Sequence, residues 1–175
     1  MGVNVSYIKN ILEDGIVGFS GEQIFSPDFS DIKLSDISPT ASDKFGMAVS
    51  MSEDVLVVGA PLYSKNPNGT GSITNAGAAF IFIRNEFTWE YHTTLVPSTK
   101  TQNEQFGWYV SVSDDDIIVI GTNGTQKAYI FEKTSNDYTN TQILSGTGNF
   151  GNTVFNVNKN IFISDNINSI ENDSN

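Results

Sequence analysis

Apolar residues recur along this chain in two rhythms, in the same order each time. Val49 and Met51 alternate with polar neighbours, and Val55, Leu56, Val57 and Val58 then run together; Val110 and Val112 alternate likewise before the run at 117–120. An alternating run reads as a strand with one apolar face, and a continuous β-branched run as a strand covered on both faces. Ser52-Glu53-Asp54 and Ser113-Asp114-Asp115-Asp116 fall between the runs and read as tight hairpin turns. The pattern predicts four strands per unit, at 45–52, 55–59, 77–84 and 88–96 in the first and at 106–113, 116–121, 126–132 and 138–144 in the second. Tyr7 to Leu12 is the one stretch with a short helical pattern.

The units also match residue by residue. FGMAVSMSEDVLVVGAP starts at Phe45, FGWYVSVSDDDIIVIGT at Phe106 and FGNTVFNVNKNIFISD at Phe150. Downstream, GAAFIFIR from Gly77 matches QKAYIFEK from Gln126, and Leu95 matches Leu144. Self-similarity at this spacing signals a propeller, solenoid or array, and four strands per repeat is the blade of a β-propeller. The expected fold is therefore all-β, a propeller-like repeat domain over residues 1–165 followed by a polar tail at 166–175. Its parts are a degenerate lead unit at 7–36, units at 45–98 and 106–146, and a half unit at 150–165. That is about three to three and a half blades, fewer than the ~4–8 of closed propellers, so an incomplete or partner-completed ring is expected.

The first unit resembles the FG-GAP repeat, found in the propeller of integrin α-subunits and in many microbial surface proteins. The likeness rests on Phe45-Gly46, Val49-Ser50, Val57-Val58-Gly59-Ala60-Pro61 and Gly77-Ala78-Ala79-Phe80-Ile81-Phe82, with Trp89 and Leu95 in fitting places. The second unit keeps Phe106-Gly107 and Gly121 but has Thr122-Asn123 for Ala-Pro, and the third keeps Phe150-Gly151 and the strand pattern. In such repeats the glycine lets backbones approach where blades crowd, and the phenylalanine is an apolar wedge between them. The resemblance implies a binding or structural module without catalytic activity. Propellers of the integrin type also carry calcium in an Asp-rich loop; here the corresponding turns are too short to wrap a cation with six or more oxygens, so no metal and no cofactor is expected.

Composition narrows the partners. With 38% hydrophobic and 17% charged residues the chain is globular, and a formal net charge of −11 repels phosphate backbones, so nucleic acid is not expected. Cysteine is absent, which removes disulfides, zinc-thiolate sites and cysteine nucleophiles. The N-terminus shows no basic region followed by an apolar one, which favours an intracellular or virion-associated protein over a secreted one, or an excerpt of a longer chain.

Candidate chemistry is sparse. The polar loop NPNGTGSITN carries the binding candidates Asn66, Asn68, Thr70 and Asn75, as a surface for glycan or protein. Gly2, with Ser6, fits the myristoylation pattern, and a membrane would be a partner only if Gly2 were so modified. Sequons stand at Asn4, Asn68, Asn123 and Asn172. His92 is the only histidine and has no metal-binding companion; Asp114, Asp115 and Asp116 repel one another and suit a solvated turn; Trp89, Tyr91, Trp108 and Tyr109 suit packing in strands, with at most one of Trp108 and Tyr109 exposed. No nucleophile elbow, phosphate loop or dinucleotide fingerprint occurs. The expected role is a protein-interaction or structural part of a larger assembly, at a surface or in a virion, with other proteins or copies of itself as partners. A glycan-binding or adhesion module is the alternative.

Overall fold

The computed structural model describes residues 40–65, 71–85, 88–157 and 159–164. The chain divides into two units, Met1–Lys33 and Leu34–Asn175, and every described residue belongs to the second. The expected lead unit at 7–36, the helical pattern at Tyr7 to Leu12, Gly2, the loop residues Asn66, Asn68 and Thr70, and the tail at 166–175 lie outside the described residues.

Among the described residues there are ten strands, all paired antiparallel within their sheets, and one turn of 3-10 helix at Ala41–Asp43. Blade 1 is a four-stranded sheet in sequence order, β1 (Val49–Met51), β2 (Val55–Ala60), β3 (Ala78–Asn85) and β4 (Thr88–Leu95). Blade 2 repeats it with β5 (Phe106–Val112), β6 (Ile117–Thr122), β7 (Lys127–Thr134) and β8 (Asp137–Ser145). A half-blade of β9 (Val154–Val157) and β10 (Asn160–Ile163) follows. The described residues are thus all-β and form propeller-like blades.

The registers show why the two apolar rhythms occur. β2 and β6 are central strands, flanked on both sides, so their runs are apolar throughout. β4 and β8 close each sheet and are exposed or half-buried along their length, with only Leu95 buried in β4 and only Tyr138 in β8. Both carry one extra residue at the same place, His92 in β4 and Thr141 in β8, where the pairing with β3 and β7 slips. A bulge of this kind twists an outer strand and blunts its edge against pairing.

The two hairpin turns differ by one residue. Ser52 N donates to Val55 O across the first, whereas Ser113 N donates to Ile117 O across the second. Asp116 is the extra residue; it sits at φ 58, its carboxylate accepting from Lys133 Nζ at 3.0 Å and from the Tyr138 hydroxyl at 3.4 Å. It is therefore bonded and half-buried, and only Asp114 and Asp115 form the exposed tip.

Each blade has a front, facing the blade before it in the chain, and a rear, facing the one after. The rear of blade 1 (Val55, Val57, Ala79, Ile81) packs on the front of blade 2 (Val110, Val112, Ile118, Ile120, Tyr129, Phe131) in one core cluster that also holds Phe106. The rear of blade 2 (Val119, Ala128, Ile130) packs on Val154, Ile161 and Ile163 of the half-blade. A third cluster, Val58, Ala60, Ala78, Phe80 and Phe82 with Phe45 and Tyr63 against it, lies on the front of blade 1.

β1 begins at Val49, four residues later than expected from Phe45, whereas β5 does begin at Phe106. The difference lies in the neighbour. Phe106 N donates to Ala76 O of blade 1 at 3.0 Å and forms a parallel bridge with Gly77, which extends β5 toward its N-terminus. No such bond is described at Phe45.

Candidate functional site

The features that set this chain's chemistry sit where blades meet, and they repeat. In both four-stranded blades the Phe-Gly phenylalanine lies edge-on to two aromatic rings of its own third strand: Phe45 to Phe80 and Phe82 at 5.4 and 6.4 Å, Phe106 to Tyr129 and Phe131 at 5.1 and 6.0 Å. The following glycine has positive φ in all three units, 88° at Gly46, 87° at Gly107 and 80° at Gly151. At Gly107 and Gly151 that conformation carries the chain across the end of the preceding blade. A Cβ on Gly59 would collide with the carbonyl oxygen of Gly107, and one on Gly121 with that of Gly151. Backbone therefore lies on backbone at both junctions, glycine to glycine.

A hydroxyl completes each junction. Val112 N donates to Ser50 Oγ of blade 1 at 3.0 Å, and Asn156 N donates to Ser111 Oγ of blade 2 at 3.0 Å. Asn156 is buried where the other units have Met51 and Val112, and its side chain is bonded through both its oxygen and its nitrogen. Its Oδ1 accepts from Ser111 Oγ, and its Nδ2 donates to Ile117 O at 2.8 Å.

The turns entering the first two Phe-Gly pairs are each pinned by an acid. Asp43 accepts from Thr40 N and from Thr40 Oγ1, at 2.6 and 2.8 Å. Glu104, fully buried, accepts from Thr101 N at 3.1 Å, from the Tyr129 hydroxyl at 2.6 Å and from Thr125 Oγ1 at 3.3 Å, with Lys127 Nζ 3.5 Å away. Burial, then the bond and charge of Glu104, push the Tyr129 phenol well above its ordinary pKa. This pattern was missed at the sequence level. Its signal is a threonine five before and an acid two before each of Phe45 and Phe106, a spacing that alternation of apolar residues does not reveal.

Of the binding candidates from the polar loop, Asn75 is described. At φ 50 it donates from its amide to Asn103 Oδ1 at 3.0 Å, and Asn123 donates to Gln105 Oε1 at 2.7 Å. The structure thus brings Asn75 to the linker that enters blade 2, as a bridge between loops. Trp108 and Tyr109 are both half-buried, Trp108 beneath Lys44 Nζ at 5.4 Å. Trp89 is half-buried with Arg84 over its ring at 5.2 Å. His92 is exposed, with the Tyr138 ring edge-on at 6.5 Å. Among the described residues no three His, Asp or Glu side chains gather to hold a metal ion. In the second turn, Ser113–Ile117, the carboxylate of Asp116 is turned to Lys133 and Tyr138.

The exposed counterpart of these junctions is at the two ends of the stack. Val49 and Met51, on the front of blade 1, are 58% and 59% exposed, whereas Val110 and Val112, their counterparts in blade 2, are 9% and 7% exposed. Gly46 is exposed where Gly107 and Gly151 are buried, and among the described residues nothing lies within 4 Å of where its Cβ would stand. At the other end Phe155, Val157 and Phe162 stand exposed on the rear of the half-blade.

Residues 31–82 match the model of the FG-GAP repeat family. Over these residues the chain is similar to an FG-GAP repeat. The match spans β1, β2 and most of β3, and the seating of Gly107 on Gly59 shows what the Phe-Gly and Gly-Ala parts of the motif do: they are the two halves of one blade junction. Units two and three lie outside the match, and the same junction geometry ties them to the first. A comparison with curated proteins finds no match.

Proposed function

We propose that this FG-GAP chain is a non-enzymatic protein-interaction module, a part of a larger assembly that takes its neighbours on the end faces of a short blade stack. One observation carries this: Val49 and Met51 stand in solvent at positions whose counterparts, Val110 and Val112, are covered by the preceding blade. Exposed apolar residues clustered on one face mark an interaction site, whereas scattered ones do not. A glycan role has less support, since Asn75 and Asn123 each use their amide on a neighbouring side chain.

Placing the photocrosslinking residue p-benzoylphenylalanine at Val49, in the cell that makes the protein, tests this. The expected result is a covalent adduct to a second polypeptide, absent when the probe stands at the exposed Thr139 of β8. Equal or no labelling at the two positions would contradict it.

A further inference from the structure

The end faces differ in kind from the sheet edges. Six of the nine large apolar side chains that stand exposed among the described residues lie on them: Met47, Val49 and Met51 on the front of blade 1, and Phe155, Val157 and Phe162 on the rear of the half-blade. One face is a front and the other a rear, the two sides that meet at each internal junction. We propose that they are the two halves of a single head-to-tail interface between copies of this chain, a proposal that rests on the protein-interaction reading above.

Three observations select a second copy as the occupant. First, the faces are chemically matched. The front supplies two flexible thioethers, Met47 and Met51, and the rear two phenyl rings, Phe155 and Phe162, 6.4 Å apart. Methionine adapts to such surfaces and sulfur packs favourably on aromatic rings.

Second, the hairpin tips beside the faces have opposite charge. Glu53 and Asp54 flank the front at the β1–β2 turn, and Lys159 flanks the rear at the β9–β10 turn; all three are exposed. Equivalent turns adjoin when blades stack in sequence, so a copy-to-copy junction sets Lys159 beside the acidic pair. By the same rule the junction of blades 1 and 2 sets acidic turns beside one another, and that of blade 2 with the half-blade sets Lys159 beside Asp114 and Asp115.

Third, the count closes. The described residues of a cyclic pair form about five blades, and the lead unit expected at 7–36 would bring the pair to about seven, both within the ~4–8 that propellers use. A heterologous contact that closes on itself gives a finite assembly with no face left over.

The junction is wider than those inside the chain. Phe155 stands where Ser50 and Ser111 accept a backbone bond, and Ser164 follows Ile163 where Gly59 and Gly121 admit a carbonyl. Side-chain packing of Met against Phe therefore replaces glycine-to-glycine contact, and Gly46 stays free of close approach.

Sedimentation velocity over a concentration series tests the proposal with two variants, Val49→Asp/Met51→Asp on the front and Phe155→Asp/Phe162→Asp on the rear. All four positions are exposed, so each variant should keep the wild-type far-UV spectrum. Wild type should form a dimer. Each variant alone should associate on the order of 100-fold more weakly or worse, because a carboxylate would be buried unpaired in the junction. An equimolar mixture of the two should regain a dimer, since one intact front then meets one intact rear. A monomeric wild type, a rear variant that still dimerises through its fronts, a front variant that still dimerises through its rears, or a mixture that stays monomeric would each overturn head-to-tail pairing. A monomeric wild type that still gives a Val49 adduct to a different protein would sink self-pairing alone; loss of that adduct as well would sink the interaction role with it.

Discussion

Glu104 shows how a charged residue can serve an apolar junction. It is fully buried, and a carboxylate in that position is tolerated only because donors surround it: the Thr101 amide, the Tyr129 and Thr125 hydroxyls and the Lys127 ammonium. These partners fix the turn from which Phe106 and Gly107 leave for blade 1. Tyr129 holds its proton in the folded state well beyond the ordinary value of 10.0, through burial first and Glu104 second. Tyr138 is shifted the same way by burial and Asp116. A phenol whose folded value is raised stabilises the fold fully below the unfolded value, and that contribution falls as pH rises through the window above it. Stability should therefore decline above about pH 10, where unfolded tyrosine ionises. Tyr129→Phe should cost about 1.5–3 kcal/mol at neutral pH, the range for a bond to a charged group, and should flatten the alkaline decline. Urea unfolding from pH 7 to 11 checks both; an unchanged slope in the variant would contradict the role given to Tyr129.

At the scale of the element, each inner strand is tied to the next by one hydroxyl, Ser50 to Val112 N and Ser111 to Asn156 N. The half-blade has only two strands, and a lone hairpin is marginal in water, so its seating on blade 2 depends on such ties. Asn156 makes three of them. Asn156→Ala should destabilise the protein by about 1–3 kcal/mol, because Ser111 and the Ile117 carbonyl lose a buried partner. Hydrogen exchange should place the loss in 150–164 and leave β1–β4 protected. Uniform loss of protection across both blades would mean that the half-blade is no separate element.

Much of this element layout was legible in the sequence, because two-sided burial forces the apolar runs at 55–58 and 117–120 and the turns interrupt them. The start of β1 and the extra turn residue Asp116 were not legible. The first depends on a neighbouring blade that β5 has, and the second on a left-handed conformation supported by Lys133 and Tyr138 from other strands. The bulges at His92 and Thr141 were hidden for a similar reason, since a bulge leaves the composition of a strand unchanged.

On the scale of the whole molecule, the outer strands are bulged and carry Tyr91, Ile143 and Leu144 as their exposed large apolar residues, while the end faces of the described stack carry the other six. The sequence pointed to missing neighbours through its low blade count. It could not say which surfaces want them, because Val49 and Val110 look alike in the chain and differ only in whether a blade lies over them. The loop candidate Asn75 joined a junction, bonded to Asn103, because the linker into blade 2 passes beside it.

Each Phe-Gly unit after the first is seated glycine-to-glycine on the blade before it, and among the described residues nothing occupies the seat of the first. Gly46→Ala, Gly107→Ala and Gly151→Ala test it most directly, compared by denaturant unfolding, since all three share a positive φ and hence a similar backbone cost of ~1–3 kcal/mol. Gly46→Ala should show that cost alone. Gly107→Ala and Gly151→Ala should lose more than ~4 kcal/mol or fail to fold, because their Cβ atoms would strike the Ala78 and Lys127 carbonyls of the preceding blade. Equal losses at the three positions would contradict the account.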